Sequence, residues 1–335
     1  MNFFKKIFLI SLTLIIFVVS SACQQANDAK REVISSTEFV LNTAATISLY
    51  DSDDYNLITE SFKICRDYEN LLSKTIEDSE IGRINTRKTN EVSTDTAELL
   101  ELSLEFAEQS NGAFDITIGS ITDLWDFTSN EKHIPDQELI NVAKQYVDYR
   151  TIKIADQKIL FENENTKLDL GAIAKGFIAD QVKEYLVEQG VTSAIINLGG
   201  NVQCIGRKDQ EKGFRVGIQK PFDSGSIVEI ELNDELSSVV TSGVYQRYFE
   251  KENQIYHHII DPKTGYPTNN DLLSVTIISK DSTSGDALST ACLVLGLEKG
   301  MKLIDEKDDL YAIFIDDDFN IYYSEGLQET LITSE

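Results

Sequence analysis

Ile227-Val228-Glu229-Ile230-Glu231-Leu232 sets apolar side chains against acidic ones in alternation, the pattern of a strand with one face on a core and the other in water. Sheets with one wet face are antiparallel, because the strands of doubly wound parallel sheets are covered on both sides. Working outward, the same criteria predict strands at Phe214–Ile218, Ala194–Leu198 and Val40–Tyr50, and at Leu273–Ser279, Tyr311–Ile315 and Ile321–Tyr323. Helices fall between them without a regular βαβ cadence. Asp53 and Asp54 cap a helix whose Leu57, Ser61, Ile64, Tyr68 and Leu71 share a face. A second runs from about Asp95 to Ser110 and stops at Asn111-Gly112; a third starts near Ala172 and ends at Gly190. Neither GxGxxG nor GxxxxGK[ST] occurs, which argues against Rossmann and P-loop enzymes. The fold class is therefore α+β: mixed, largely antiparallel sheets packed with helices.

The chain has 335 residues, 41% of them hydrophobic, enough for a sizeable core. Thirty Lys plus Arg face 56 Asp plus Glu, a net charge of -26, and a polyanion needs a basic footprint, so no nucleic-acid partner is expected. Lys5 and Lys6 precede an apolar run from Ile7 to Val19, and Ser20, Ser21 and Ala22 lead into Cys23. This reads as a signal peptide over 1–22, too short for a permanent span. The small residues before Cys23 resemble a bacterial lipobox, with Ser20 where a large aliphatic residue is usual. That resemblance implies a lipid anchor at Cys23, a tether over 23–33 and a protein held on the extracytoplasmic face of the cell membrane. No repeat or Pro/Gly-rich linker interrupts the rest, which reads as one domain over 34–330. Cys65, Cys204 and Cys292 form no CxxC pair, so neither a disulfide framework nor a zinc cluster is indicated; Cys65 and Cys292 lie in apolar helical patterns and read as core.

Five stretches break the rules of an ordinary core. Leu168-Asp169-Leu170-Gly171-Ala172-Ile173-Ala174-Lys175-Gly176 opens a helix with small residues and free amides that favour an anion, with Lys175 in reach of a phosphate; close helix–sheet packing is the competing reading. In Gly285-Asp286-Ala287-Leu288-Ser289-Thr290-Ala291, Asp286 and Thr290 stand one helical turn apart and offer hard oxygens to Mg²⁺ or Ca²⁺; alternatively they are a first-turn acid and a back-bonded threonine. His257-His258-Ile259-Ile260-Asp261-Pro262-Lys263-Thr264-Gly265 places two histidines beside a rigid turn, where either is a base or a structural group. Asn197-Leu198-Gly199-Gly200-Asn201 is a strand end breaking into a backbone-exposing loop, and Gly112-Ala113-Phe114-Asp115 is a turn with a ring and a carboxylate.

With Ser242-Gly243-Val244-Tyr245-Gln246-Arg247-Tyr248-Phe249, these motifs, in this order, resemble the ApbE-type FAD:protein FMN transferases over roughly Phe39 to Ile315. The resemblance implies a single catalytic domain of a T-fold-related kind, with the carbonyl of Ala172 and the side chains of Asp286 and Thr290 as metal ligands. It implies FAD contacts at Ala113, Phe114, Asp115, Asp169, Lys175 and Ile260. Leu41 stands where the family places a methionine against the flavin, and Asn42 replaces a family glycine. FAD is on this account a substrate. Mg²⁺, with Ca²⁺ able to take its place, neutralises its pyrophosphate, and Lys175 holds the oxygens. His258 deprotonates the Thr or Ser hydroxyl of an acceptor protein, Asp261 fixes its loop, and AMP leaves. Acceptors implied by the resemblance are extracytoplasmic electron-transfer subunits. Rival readings are a Mg²⁺-dependent FAD pyrophosphatase, a non-catalytic flavin-binding lipoprotein, and an acidic surface protein with merely structural motifs.

Overall fold

The structure is a computed structural model that describes residues 32–125, 127, 132–209, 212–233, 235–252 and 254–327. The signal peptide, Cys23 and the tether up to Arg31 lie outside the described residues. The strands are β1 (Ile34–Val40), β2 (Thr43–Leu49), β3 (Ile152–Ala155), β4 (Lys158–Phe161), β5 (Ser193–Leu198), β6 (Asn201–Gly206) and β7 (Arg215–Gln219). They continue with β8 (Ser226–Glu231), β9 (Ser238–Gly243), β10 (Tyr248–Lys251), β11 (Gln254–His257), β12 (Leu272–Ser279), β13 (Tyr311–Asp316) and β14 (Ile321–Tyr323). The helices are α1 (Tyr55–Leu72), α2 (Glu80–Asn85), α3 (Thr94–Gln109), α4 (Gly119–Trp125), α5 (Gln137–Ala143), α6 (Ala174–Glu188), α7 (Ser282–Leu295) and α8 (Leu297–Asp305).

The fold is mixed α+β. An eight-stranded sheet in the order β1-β2-β5-β6-β9-β12-β13-β14 is antiparallel at every pairing, and β3-β4, β7-β8 and β10-β11 are separate antiparallel hairpins. Ala45, Ile47 and Leu49 of β2 and Ala194, Ile196 and Leu198 of β5 pack on Ile58, Phe62 and Cys65 of α1 and Ile178, Val182 and Leu186 of α6. The central strands are covered on their other face by the β7-β8 hairpin, whose Val216, Ile218, Val228 and Ile230 meet Val239, Ile278 and Ile313. That hairpin fulfils the alternation of its sequence: Val228 and Ile230 are buried while Glu229 is exposed.

Val40–Tyr50 is not one strand. Leu41 and Asn42, both at φ 56, form the two-residue turn of the β1-β2 hairpin, the geometry that right-twisted strands prefer. The first strand escapes the sequence pattern because Ser35 and Thr37 serve it through cross-strand hydroxyl pairs, to Ser48 and Thr46 at 2.8 Å, rather than through apolar alternation. The helix predicted after Asp54 is α1, with the Asp54 carboxylate accepting the Asn56 N–H; the second is α3, stopped by Asn111 and Gly112 at positive φ. The third begins at Ala174, two residues later than expected, because Ile173 is still outside the helical region. Cys65, Cys204 and Cys292 are buried free thiols, and burial pushes each up to about 12.

Candidate active site

The segment Leu168–Gly176 is held from both sides before it becomes a helix. The Asn85 side chain donates to the Leu168 carbonyl at 2.8 Å and accepts the Leu168 N–H at 2.7 Å, and the Asp169 N–H donates to Ile116 O at 2.8 Å. The Asp169 carboxylate turns back on its own loop, accepting the Gly171 N–H at 2.9 Å and the Thr122 hydroxyl at 2.7 Å, and pairs with Lys74 at 3.1 Å. Burial alone would raise its pKa; the Lys74 charge and these donors outweigh it and hold the carboxyl below its ordinary value. Lys74 also meets Asp123 at 2.9 Å, so one mostly buried ammonium serves two acids.

Helices α6 and α7 cap one another. Ile173 has no side chain able to close the start of α6, and the Gly176 N–H instead donates to Asp286 Oδ2 on α7 at 2.9 Å. In return Asp180 on α6 accepts the N–H groups of Ser282 and Thr283 and the Thr283 hydroxyl, and Asp281 accepts the Ser284 N–H. This exchange requires a close approach. A Cβ on Gly176 would stand 2.8 Å from the Asp286 Cβ and nearer still to the Ser282 carbonyl. Asp286 is 4% exposed; burial raises its carboxyl, opposed by the Lys175 charge and the Gly176 amide. Among the described residues no hydrogen bond reaches its other oxygen. Thr290, one turn on, lies 3.0 Å from the Ser242 hydroxyl.

The two histidines divide their roles. The buried His257 has its Nε2 3.0 Å from Thr268 O, and its Nδ1 accepts the Ile259 N–H at 3.3 Å, so both ring nitrogens are spent on structure. His258 has Nδ1 3.3 Å from Arg247 O. A carbonyl only accepts, so Nδ1 carries the proton and Nε2 keeps a free lone pair. Burial, then the charges of Arg247, His257 and Lys175, push His258 down to about 3 and keep it neutral. Lys175 precedes Gly176, whose N–H reaches Asp286, and its charge acts on both Asp286 and His258.

Beside His258, Ile260 is buried with Ile121, Trp125, Ile140 and Phe249. Asp261 builds the turn that follows: its carboxylate accepts the Lys263 N–H at 2.9 Å and its carbonyl the Gly265 N–H at 2.8 Å. Trp125 donates its indole N–H to Gly265 O at 2.9 Å. Gly199 and Gly200, at φ 66 and 94, turn β5 into β6, and a Cβ on Gly199 would collide with Thr43. Leu41 lies in the neighbouring β1-β2 turn, where Asn42 adopts the left-handed backbone that asparagine tolerates and offers its carbonyl to Arg247 at 3.4 Å.

The Gly112–Asp115 turn is packed more deeply. Ala113 and Phe114 are buried, with Phe114 edge-on to Phe106 at 6.4 Å. Asp115 accepts the Thr117 N–H and hydroxyl at 2.8 and 2.6 Å and the Tyr149 N–H at 3.0 Å; burial leaves its carboxyl above the ordinary value despite them. The structure thus sets Asp286 against the first turn of α6 that carries Lys175, hangs His258 on Arg247, places Asp169 and Ala172 on the approach to α6, and gives Asp115 a loop-bracing part. Sequence reading missed Lys74, Asn85 and Asp180, single polar residues in ordinary-looking stretches whose partners lie on distant segments; no local signal marks them.

The oxygens of this site suit a hard cation. Asp286 and Thr290, one turn apart on α7, offer a carboxylate and a hydroxyl, oxygen donors of the kind that Mg²⁺ or Ca²⁺ accepts. Among the described residues no three His, Cys, Asp or Glu side chains gather as a metal cluster.

Comparison with known proteins agrees with this architecture. The FAD:protein FMN transferase of Treponema pallidum is 34% identical, covering 88% of this chain and 87% of its own, and that of Klebsiella pneumoniae is 34% identical, covering 84% and 89%. The crystal structure of the ApbE protein from Thermotoga maritima superposes with a TM-score of 0.81 at 30% identity, covering 89% of this chain and 99% of the other. The flavin transferase ApbE from Vibrio cholerae gives 0.79 at 27%, with the same coverage. Residues 41–314 match the ApbE family, and the chain belongs to it.

Proposed function

We propose that this protein is an FAD:protein FMN transferase that moves FMN from FAD to a Ser or Thr hydroxyl of an extracytoplasmic acceptor protein and releases AMP. The observation that carries the reading is the close contact of α6 and α7, which sets the Lys175–Gly176 turn against the buried Asp286 carboxylate, together with a His258 whose Nδ1 is held by the Arg247 carbonyl and whose Nε2 is left free. The transferase names of its relatives support it.

Lys175, in the first turn of α6, binds the pyrophosphate of FAD. His258 Nε2 takes the proton of the acceptor hydroxyl, whose oxygen forms a bond to the flavin-side phosphorus while the bond from that phosphorus to the bridging oxygen breaks, and AMP carries the bonding pair away. The Arg247 carbonyl keeps His258 in the required tautomer. Asp286, Thr290 and the Ala172 carbonyl would hold Mg²⁺, or Ca²⁺ in its place, which when bound neutralises pyrophosphate charge. Leu41, Ala113, Phe114, Asp115, Asp169 and Ile260 are read as the further FAD contacts on resemblance alone. The leader and Cys23 support a lipid-anchored protein on the outer face of the cell membrane, facing an electron-transfer subunit as acceptor.

The test is to incubate the soluble chain with FAD, Mg²⁺ and a purified candidate acceptor subunit, to quantify AMP and to weigh the acceptor. An acceptor heavier by one FMN is expected. AMP release with unchanged acceptor mass would move the reading to hydrolysis, and FAD retained without AMP would make the protein a carrier. Intact mass of membrane-extracted protein checks the anchor, and an unmodified full-length N-terminus would defeat it.

A further inference from the structure

We propose that Phe222 and Tyr248 form an aromatic docking ledge for the acceptor protein, next to the strand of backbone that holds His258. The inference rests on the transferase reading and names the surface through which its protein substrate is recognised.

Phe222 sits in the connection between β7 and β8 and is 47% exposed, and Tyr248, the first residue of β10, is 38% exposed. Their rings meet edge to face at 5.6 Å, and Phe222 also lies 5.8 Å from the largely buried Tyr245. Phe222 has φ +59, a left-handed backbone that a bulky aromatic residue adopts only at a cost. An exposed, strained Phe in a turn contributes little to the core, and glycine would be the easier residue there. Water-facing aromatic rings clustered by two separate hairpins are the chemistry of a protein-recognition anchor.

Position selects the occupant. Tyr245 and Tyr248 bracket Gln246-Arg247, and the Arg247 carbonyl is the group on which His258 is hung. Across the β10-β11 hairpin Tyr248 pairs with His257, the residue before His258, so the ledge lies on the hairpin that leads into the base, and a protein segment delivering its hydroxyl there meets it. The occupant fitted to it is a segment of the acceptor protein with an apolar side chain near the modified Ser or Thr.

The experiment compares Phe222→Gly, Tyr248→Ser and the conservative Phe222→Tyr in the full soluble chain, using the acceptor subunit that the unsubstituted enzyme labels. Three readouts are taken: acceptor KM, FAD affinity by flavin fluorescence, and the thermal midpoint. Phe222→Gly relieves the strained turn, so its midpoint should hold or rise while acceptor KM rises about tenfold, roughly the loss of one interface anchor. Tyr248→Ser should do the same to KM, Phe222→Tyr should restore it, and FAD affinity should stay unchanged in all three. An acceptor KM within twofold of the starting value overturns the ledge, as does a parallel loss of FAD affinity, which would make these rings part of the flavin site. A dimer of this chain that Phe222→Gly disperses would assign the patch to self-association and also overturn it. If the unsubstituted enzyme labels no acceptor, the transferase reading itself has failed, which is a separate result.

Discussion

Replacing Gly176 with alanine sets two magnitudes of opposite sign against each other. By intrinsic preference alone, Gly→Ala inside a helix is stabilising by about 1 kcal/mol. At this position the added methyl meets the Asp286 Cβ at 2.8 Å and the Ser282 carbonyl nearer still, where carbon atoms ordinarily rest about 3.5–4.0 Å apart. The obstacle is largely backbone, which has no rotamer to turn away, so α6 and α7 must part by about 1 Å. Overpacking of this kind costs about 1–3 kcal/mol, and because the same displacement stretches the Gly176–Asp286 hydrogen bond, the upper end applies and a net loss of about 2 kcal/mol is expected. A shift of about 1 Å between Lys175 and Asp286 should also lower turnover about 100-fold. Urea denaturation at constant slope measures the first quantity, and AMP release from saturating FAD the second. Gly190→Ala serves as the control: it has positive φ and nothing within 4 Å of a new Cβ, so it should lose modest stability and no activity. A Gly176→Ala protein as stable as the original, or more so, would refute the interlocked packing of the two helices.

Asp286→Asn should reduce AMP release below detection, while excess EDTA reproduces that loss in the unsubstituted enzyme; activity that survives both would remove the hard-cation reading. His258→Gln should lower the rate of acceptor labelling by a factor of about 10²–10⁴ and leave FAD affinity as it was, whereas His257→Gln should act through stability. Folded His257 and His258 titrate near 4 and 3 against about 6.5 when unfolded, so the unfolded chain binds more protons between those values. Their contribution to stability is complete above about pH 6.5 and is lost as pH falls toward 3–4, which denaturation midpoints at pH 7.5 and 4.5 will show as a drop that His257→Gln reduces. Lys74→Met leaves the Asp169 carboxylate without its counter-ion, while Asp123 keeps Lys167 at 2.7 Å, and should cost about 3 kcal/mol, with the Lys74→Met, Asp169→Asn double variant recovering part of it; a double variant no more stable than Lys74→Met would show that the unpaired Asp169 charge is not the source of the loss.

Much of the architecture was legible because it is written in local periodicity. The α1 and α3 helices announce themselves through Asp54 and the Asn111-Gly112 stop, and β8 through its alternation. The first strand was not legible, since Ser35 and Thr37 stabilise it through hydroxyl pairs that hydropathy does not register. Candidate site residues stand out where they break local rules, as Asp286 does as the one charged residue of its helix. They were missed where the rule is long-range: Asn85 closes on Leu168, and Asp180 on Ser282, through pairings that exist only after the sheet has formed.

The lone tryptophan of the sequence, Trp125, is fully buried, bonded to the Gly265 carbonyl and packed with Ile260, two residues beyond His258. Its emission is therefore an optical gauge set into the enzyme's own working loop. Because isoalloxazine absorbs where indole emits, flavin arrival can be followed by energy transfer, with no label attached and no turnover required.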